Sequence, residues 1–442
     1  TPRMPTAKTV VSTLLAIVLA AAGITSIGVS PATAATTPSI VEVTIGNIVY
    51  TADTRSPGLG ATVSGYTYSN NMSQVATVRS RVTIKGVGYP VTTIGKFAFN
   101  ESPFSAYSLP NSITSIGTYA FNNASASELV IPNSVVEIGD YAFYQGYFPN
   151  PILGTGLKTI GRYAFMNAGV GSLTIPNSVT SIGEGAFMQA NVTSLTLGNN
   201  VTTIGGRAFF QNGSLTSVTF PASVTTIGFQ AFSESGLTTV TLGSGLQTIE
   251  WGAFRRNVIP QVVIPNSVTT IGELAFDSAG VTSLTLGSSV ETIGKAAFKY
   301  CRITSLVIPD SVTSIGNQAF LYSRIASLTF GDSLETIGAW AFADSDNSLS
   351  GDLVIPDSVS TIGDSAFRNS GNFDSIDLPD GLTEIADYTF YNDQITSVTI
   401  PDSVTSIGEY AFGGTDLDSV ILPSSLVSIG DYAFESSDFT SV

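Results

Sequence analysis

The stretch Leu237-Thr238-Thr239-Val240-Thr241-Leu242-Gly243-Ser244-Gly245-Leu246-Gln247-Thr248-Ile249-Glu250-Trp251-Gly252-Ala253-Phe254 is one copy of a unit that fills most of the chain. Its Ile recurs at 94, 116, 138, 160, 182, 204, 227, 249, 271, 293, 315, 337, 362, 385, 407 and 429, and twelve of the fifteen intervals are 22 residues. Five positions after each Ile stands a Phe, from Phe99 to Phe434, and Ala precedes it in every copy except the one with Thr389. A fixed period of this length is the mark of a repeat solenoid, in which no unit can bury its apolar face alone.

The consensus L-x-x-L-x-L-P/G-x-S-V-x-x-I-G-x-x-A-F places six apolar positions inward per coil. Its opening has the period-two alternation of a strand, and the Pro or Gly that follows ends that strand. These two alternate strictly through Pro176, Gly198, Pro221, Gly243, Pro265, Gly287, Pro309 and Gly331. Duplication of a 44-residue unit would produce the alternation, but no physical cause is visible at this level. The expected fold class is a leucine-rich-repeat solenoid of about sixteen coils. A curved parallel sheet is expected on the concave face and short helical or 3-10 turns on the convex face, where G-x-x-A-F needs a compact bend. Glu250 and Ala386 replace the Gly of that bend, which argues against a strict positive φ there. At strand spacing the sheet would run about 75 Å.

Two places break the pattern: the long interval from Ile337 to Ile362 holding Asp344-Ser345-Asp346-Asn347-Ser348, and the strand near Phe148 with Pro149 and Pro151. Proline there removes ladder donors, so a kink or frayed pairing is expected. Residues 35–88 lack the repeat but carry alternating runs at Val41–Val49, Ala61–Tyr68 and Val75–Ile84, which suit an N-terminal β-rich cap over the first coil. The solenoid is then 89–442. The chain ends at Ser441-Val442 inside a strand signature, which suggests that the natural polypeptide continues.

Residues 1–34 read as an address. Arg3 and Lys8 precede the apolar run Val10 to Ala22, and Ala32-Thr33-Ala34 supplies a small-residue cleavage site. The run is too short to span a bilayer, which takes roughly 20 residues. Cleavage near Ala34 gives a secreted or cell-surface protein with no transmembrane span in the mature chain.

Composition narrows the chemistry. Histidine is absent, so the usual neutral-pH proton carrier and zinc ligand is missing. Cys301 is the one cysteine, so no intrachain disulfide and no cysteine zinc cluster forms. A net charge of −16 disfavours nucleic acid and anionic lipid. A catalytic groove on a β-helix would need clustered carboxylates, and Asp344, Asp346 and Asp352 look instead like part of a polar insertion. No enzyme activity, cofactor or metal is expected. Acidic residues after the Pro (Asp310, Asp357, Asp380, Asp402) and after the Ile-Gly (Asp140, Glu184, Glu273, Asp364, Glu409, Asp431) lack the tight loops of calcium motifs.

Outward positions of the expected strands are Thr193, Ser194, Thr196; Thr216, Ser217, Thr219; Thr238, Thr239, Thr241; Thr282, Ser283, Thr285; and Thr396, Ser397, Thr399. They form hydroxyl ladders on the concave face, explicable by β-propensity alone or as a broad surface for protein or glycan. Aromatic residues lie instead after the Ile-Gly, at Tyr119, Tyr141, Tyr163, Trp340, Tyr388, Tyr410 and Tyr432 with Trp251 nearby, where they would shield the convex side.

The units Ile175-Pro176-Asn177-Ser178-Val179-Thr180-Ser181-Ile182-Gly183-Glu184-Gly185-Ala186-Phe187 and Ile400-Pro401-Asp402-Ser403-Val404-Thr405-Ser406-Ile407-Gly408-Glu409-Tyr410-Ala411-Phe412 closely resemble the BspA-like leucine-rich-repeat family. That resemblance implies an extracellular or surface-attached bacterial protein that adheres to host matrix proteins or other cells. The family often carries Cys three residues after the Phe, and Cys301 alone keeps it, which implies a buried small residue. The expectation is a monomeric adhesion protein whose partner is an extracellular protein or glycan. The alternative is a spacer presenting a further domain beyond Val442.

Overall fold

The computed structural model describes residues 40–69 and 74–437. The expected signal segment 1–34 and the strand signature at Ser441-Val442 lie outside the described residues. Residues from Ile40 onward form one compact unit, a parallel β-solenoid.

Strand β1 (Ile40–Ile45) and β2 (Ile48–Asp53) pair antiparallel, and β3 (Ala61–Tyr66) lies antiparallel on β2. The short β4 (Val75–Thr77) pairs with Ala106–Ser108, and β5 (Arg81–Ile84) is antiparallel to β6 (Val87–Ile94). Strand β3 then pairs parallel with the end of β6, placing Val63 beside Ile94. The first Thr-Ile rung thus has a partner on its outer side. Strand β6 runs across the boundary expected at residue 88.

From Ile94 the repeat takes over. Each Ile of the Ile-Gly pair, with the Thr, Ser or Glu before it, makes a two-residue strand in register with its counterparts, Ile94 to Ile116, Ile138, Ile160 and onward to Ile362. This is the continuous ladder of the molecule. The L-x-x-L-x-L segment, expected to form one unbroken sheet, pairs mostly in twos: Gly171–Thr174 with Val192–Thr196, Ser217–Thr219 with Thr239–Thr241, Gln261–Val263 with Ser283–Thr285, and Ser305–Val307 with Ser327–Thr329.

Close approach explains the Ile-Gly pair. A methyl placed on Gly294 would fall 2.6 Å from the Glu273 amide nitrogen of the coil before, so a side chain there pushes coils apart. The glycine φ is not positive; what the position demands is the missing Cβ. From Gly117 to Gly363, and again at Gly408 and Gly430, the amide after the Ile donates to the preceding Ile carbonyl, as in Gly363 to Ile337 at 2.9 Å and Gly408 to Ile385 at 2.7 Å. Among the described residues the ladder breaks between Ile362 and Ile385, where Ala386 stands in place of Gly, and resumes as Ile385, Ile407 and Ile429. Glu250 is accommodated, its Oε2 accepting the Phe229 amide at 2.8 Å.

The convex bend departs from the expected helical turn. In all sixteen bends the second residue after the Gly and the second after the Phe are left-handed, for example Leu274 at φ 59° and Ser278 at φ 56°. A left-handed residue cannot continue a helix and costs a non-glycine roughly 1–2 kcal/mol. The return is hydrogen bonding. Alternate amides close local turns, such as Ala275 to Gly272, while those between donate to the next coil, as Leu274 to Lys295 at 2.9 Å, Phe276 to Ala297 at 2.7 Å and Ser278 to Lys299 at 2.8 Å. The bend is therefore a third inter-coil ladder. Among the described residues the 3-10 segment is Pro57–Leu59, outside the repeat.

The sixteen Phe rings form one unbroken stack inside the bends, with neighbouring centroids between 4.6 and 5.9 Å apart and the rings near parallel. Near Phe148 the outer strand reduces to isolated bridges, Tyr147 to Gly169 and Val130 to Ile152, as the prolines there require.

Three residues after each Phe stands a column of small or polar side chains, and several of the polar ones donate to Phe carbonyls. Asn257 is the fullest case: its Nδ2 donates to Phe232 and Phe254 at 2.9 and 2.8 Å, and its Oδ1 accepts from Ser235 and Leu237. Cys301 donates its thiol to Phe276, and burial pushes that thiol up to about 12. Its burial makes it a core residue. Asp393 sits in the same column with Oδ1 accepting from Ser370 and Gly371 at 2.6 and 2.9 Å, while Oδ2 has no partner.

Burial pushes the Asp393 carboxyl well above the ordinary range, against the smaller opposing pull of the Gly371 and Ser370 amides. The sign of the pH effect follows. Below the unfolded value, about 4, both states are protonated and the site costs nothing in charge burial. As pH rises the unfolded carboxyl ionises first, and stability falls until the folded group also ionises. Asp393→Asn replaces that demand with the donor that Asn212 and Asn257 supply in equivalent positions. The substitution is expected to raise stability at pH 7 by about 1–3 kcal/mol, with the gain over wild type shrinking toward pH 4. Paired denaturation curves across that range check it, and a gain independent of pH would contradict it.

A candidate ligand-binding face

All fifteen outward Thr and Ser residues singled out from the sequence are exposed, from Thr193 to Thr399. The paired outer strands bring them into rungs: Ser217 opposite Thr239 and Thr219 opposite Thr241, Ser172 beside Ser194 with Oγ atoms 2.9 Å apart, and Ser305 beside Ser327 at 3.0 Å. Several hydroxyls nearer the strand start turn inward, Thr238 to the Thr216 carbonyl and Thr282 to the Pro260 carbonyl. Thr396 does the same toward the Asp374 carbonyl, and most of the other hydroxyls are left to solvent or a ligand.

This face is not uniform along the solenoid. In each of these four pairs the first coil carries Pro and the second Gly, whereas the later strands Leu349–Val354, Gly371–Asp377 and Val398–Thr399 pair in succession with Pro356, Pro379 and Pro401 behind them. The absent Gly side chain matters because a methyl on Gly198, Gly243 or Gly287 would fall on the carbonyl oxygen of Pro176, Pro221 or Pro265. The residue after the Pro often completes the clamp: Asn177 Oδ1 accepts the Asn199 amide at 2.8 Å, Asn266 Oδ1 that of Ser288 at 3.1 Å, and Asp310 Oδ1 that of Asp332 at 3.3 Å. In these coils the Gly thus permits a close approach over the Pro carbonyl, and Asp310 is an amide acceptor between coils.

From a Gly coil to the next Pro coil the strands do not pair. Val258 still bonds Leu237 and Arg302 bonds Val281 at the entrance. Beyond that point the strands splay and open a cleft at each of four successive junctions. The volumes are about 420 Å³ between Ile152 and Ser172, 350 Å³ between Thr196 and Ser217, 520 Å³ between Thr241 and Gln261, and 500 Å³ between Thr285 and Ser305. Each has hydroxyl and amide groups at its rim and apolar side chains at its floor, such as Leu284 and Leu286. No charged side chain lines any of the four. Periodicity reasoning missed the clefts because the inward and outward positions are the same in every coil; the Gly in every second one was their signal.

Other residues raised by the sequence are dispersed. Asp344 accepts from Asn369 at 2.7 Å, Asp346 pairs with Arg324 at 2.9 Å, and Asp352 accepts from Ser375 at 2.6 Å. Each serves a neighbouring coil. Glu184 holds Arg162 and Tyr163, and Asp140 and Asp387 accept amides of the following coil. Among the described residues no group of three potential metal ligands assembles, and no helix is long and apolar enough to cross a membrane.

The aromatic residues after the Ile-Gly occupy the left-handed positions of the bends. Phe97, Tyr119, Tyr141 and Tyr163 stack in one row at 4.8–5.1 Å, and Tyr388, Tyr410 and Tyr432 in another at 5.0 Å. Arg368 lies over Trp340 at 5.1 Å. Stacked rings spend their faces on one another, which fits shielding of the bend.

The repeats match the family described as BspA type leucine-rich-repeat region, in overlapping segments covering residues 92–212, 158–282, 252–350 and 346–442. No curated protein matches the chain. Among solved structures, a leucine-rich-repeat protein from Bacteroides ovatus is 22% identical, with a TM-score of 0.53, over 90% of this chain and 99% of its own. The pneumococcal vaccine antigen PcpA is 18% identical, with a TM-score of 0.47, over 91% of this chain and 98% of its own. A leucine-rich cell surface protein from Faecalibacterium prausnitzii is 24% identical, with a TM-score of 0.35, over 92% and 95%.

Proposed function

Because this chain belongs to the BspA-type leucine-rich-repeat family, we propose that it is a secreted or cell-surface protein that binds extracellular macromolecules, without enzymatic chemistry, through the hydroxyl face of its coils. On this reading residues 1–34 direct secretion, 35–88 cap the stack and 89–442 present the surface. The observation that carries it is the exposed row of Thr and Ser hydroxyls, repeated coil after coil.

A repeated row of weak sites binds by avidity. Each hydroxyl pair contributes little, but a ligand that engages several coils at once gains through effective concentration. Such a face suits a long partner better than a small molecule.

The test is binding of the chain from Ala35 onward to matrix proteins, glycans and whole cells at physiological salt. Saturable binding, competed by the soluble protein and lost when Thr196, Thr219 and Thr241 are changed to Glu, is the expected result. Binding to none of the panel would overturn the reading.

A further inference from the structure

The four clefts have a regular place in the fold. Each lies where a Gly coil meets the following Pro coil, so the row repeats every two coils. Inter-coil spacing can be read from the Phe stack beneath: Phe276 to Phe298 is 5.2 Å and Phe298 to Phe320 is 5.4 Å. Clefts therefore recur at roughly 10 Å along the axis, near twice the ordinary strand spacing.

The three clefts from Thr196–Ser217 onward also expose unspent backbone, whereas at the first the Ser172 amide donates to Asn150 Oδ1 at 2.9 Å. Phe220 donates its amide to Thr241 in the coil ahead. By the alternation of a parallel strand the amides of Ser217 and Thr219 point back toward the Gly coil, where no bond is formed. The Gln261–Val263 and Ser305–Val307 strands repeat the arrangement, since Ile264 and Ile308 donate forward to Thr285 and Thr329. Backbone donors, backbone carbonyls and Thr or Ser hydroxyls thus converge above an apolar floor.

We propose that these clefts are successive subsites for a neutral, unbranched, β-linked polysaccharide lying along the solenoid axis, one disaccharide unit to every two coils. This rests on the hydroxyl face being the binding surface, and it names the ligand class. Three observations select it. The clefts contain no charge to satisfy an ionic partner, and the net charge of −16 repels anionic glycans. Near-identical sites in a row call for a polymer of identical units, which a folded protein partner is not. The spacing argues against an extended peptide, which returns side chains to one face every ~6.7 Å and drifts out of register over four clefts; a polyproline II helix, repeating every ~9.3 Å, comes close in length, but its prolines carry no donor for the Thr and Ser oxygens. The disaccharide unit of an extended β-linked chain has the length required. Its ring hydroxyls meet the unpaired amides and the Thr and Ser groups, and its C–H faces rest on residues such as Leu284 and Leu286.

Calorimetric titration of the chain with cello- and chito-oligosaccharides of two, four and six sugars tests the proposal. The expected result is affinity rising about tenfold or more with each added disaccharide in at least one series, without competition by heparin oligosaccharides. The double variant Thr241→Glu, Thr285→Glu should lose at least tenfold for the hexasaccharide with an unchanged melting curve. Both positions are exposed strand residues, so folding survives the change. Binding without length dependence, or binding indifferent to the double variant, would overturn the subsites. So would preferential binding of a (Pro-Pro-Gly)10 peptide, which would identify a polyproline II partner instead. If matrix proteins bind and no neutral oligosaccharide does, the ligand assignment fails while the binding surface stands; if nothing binds, both fail.

Discussion

Replacing Phe276 by Ala is expected to destabilise the protein by about 3–5 kcal/mol, the range for truncating a fully buried aromatic. Phe276 is completely buried, with Phe254 and Phe298 stacked on its two faces at 5.2 Å each. Removing the ring leaves a cavity that neither neighbour can fill, because the Ala297 and Lys299 carbonyls fix the backbone on both sides of it. The effect should be felt beyond one coil. Solenoid stability is a sum of coil terms and neighbour interfaces, and this side chain belongs to two interfaces. Denaturant titration of the variant measures the loss, and an unchanged midpoint would contradict the stacked-ring account.

Asn257→Ala is expected to cost a comparable ~3–5 kcal/mol, for a different reason. The Phe232 and Phe254 carbonyls and the Ser235 and Leu237 amides all depend on one side chain. Burial leaves no water to take its place, and each orphaned buried group costs roughly 1–3 kcal/mol, partly relieved by local relaxation. Asn257→Asp supplies the control. The acceptor half is retained and the donor half becomes an oxygen facing two carbonyls, so the variant should be nearly as unstable at neutral pH and partly rescued on acidification. Equal stability of both variants and wild type at pH 7 would remove the carbonyl-plug account, and with it the explanation of Asp393.

Much of the architecture could be read from residue spacing alone. The Ile-Gly and Ala-Phe anchors mark the period, and period converts directly into a stack because identical side chains must superpose. The outward Thr and Ser positions followed from two-residue alternation. What escaped that reading depends on distances between coils. Nothing in the string Ile293-Gly294 says that a Cβ would meet the Glu273 amide, and nothing in Leu274 announces a left-handed residue; a bulky side chain there argues against one. The inter-coil bonds override local preference, which is why a helical bend was expected and a laddered one occurs. The alternation of Pro176, Gly198, Pro221 and Gly243 was plain in the sequence, yet its meaning required seeing each Gly lie over a Pro carbonyl. Buried Asn212 and Asn257 each answer a pair of Phe carbonyls, and Asp393 occupies the equivalent position without a donor for them, which spacing alone does not reveal.

Between Ser172 and Thr329 the outer face is divided into two-coil units by unpaired junctions, and amide hydrogen exchange reads this residue by residue. Val218, Phe220, Val262, Ile264, Leu306 and Ile308 should be slow, because their amides face the paired coil. Ser217, Thr219, Gln261, Val263, Ser305 and Val307 should exchange much faster, giving alternation within each strand and recurrence every second coil. Uniform protection across both sets would mean a continuous outer sheet, with no clefts and no row of subsites.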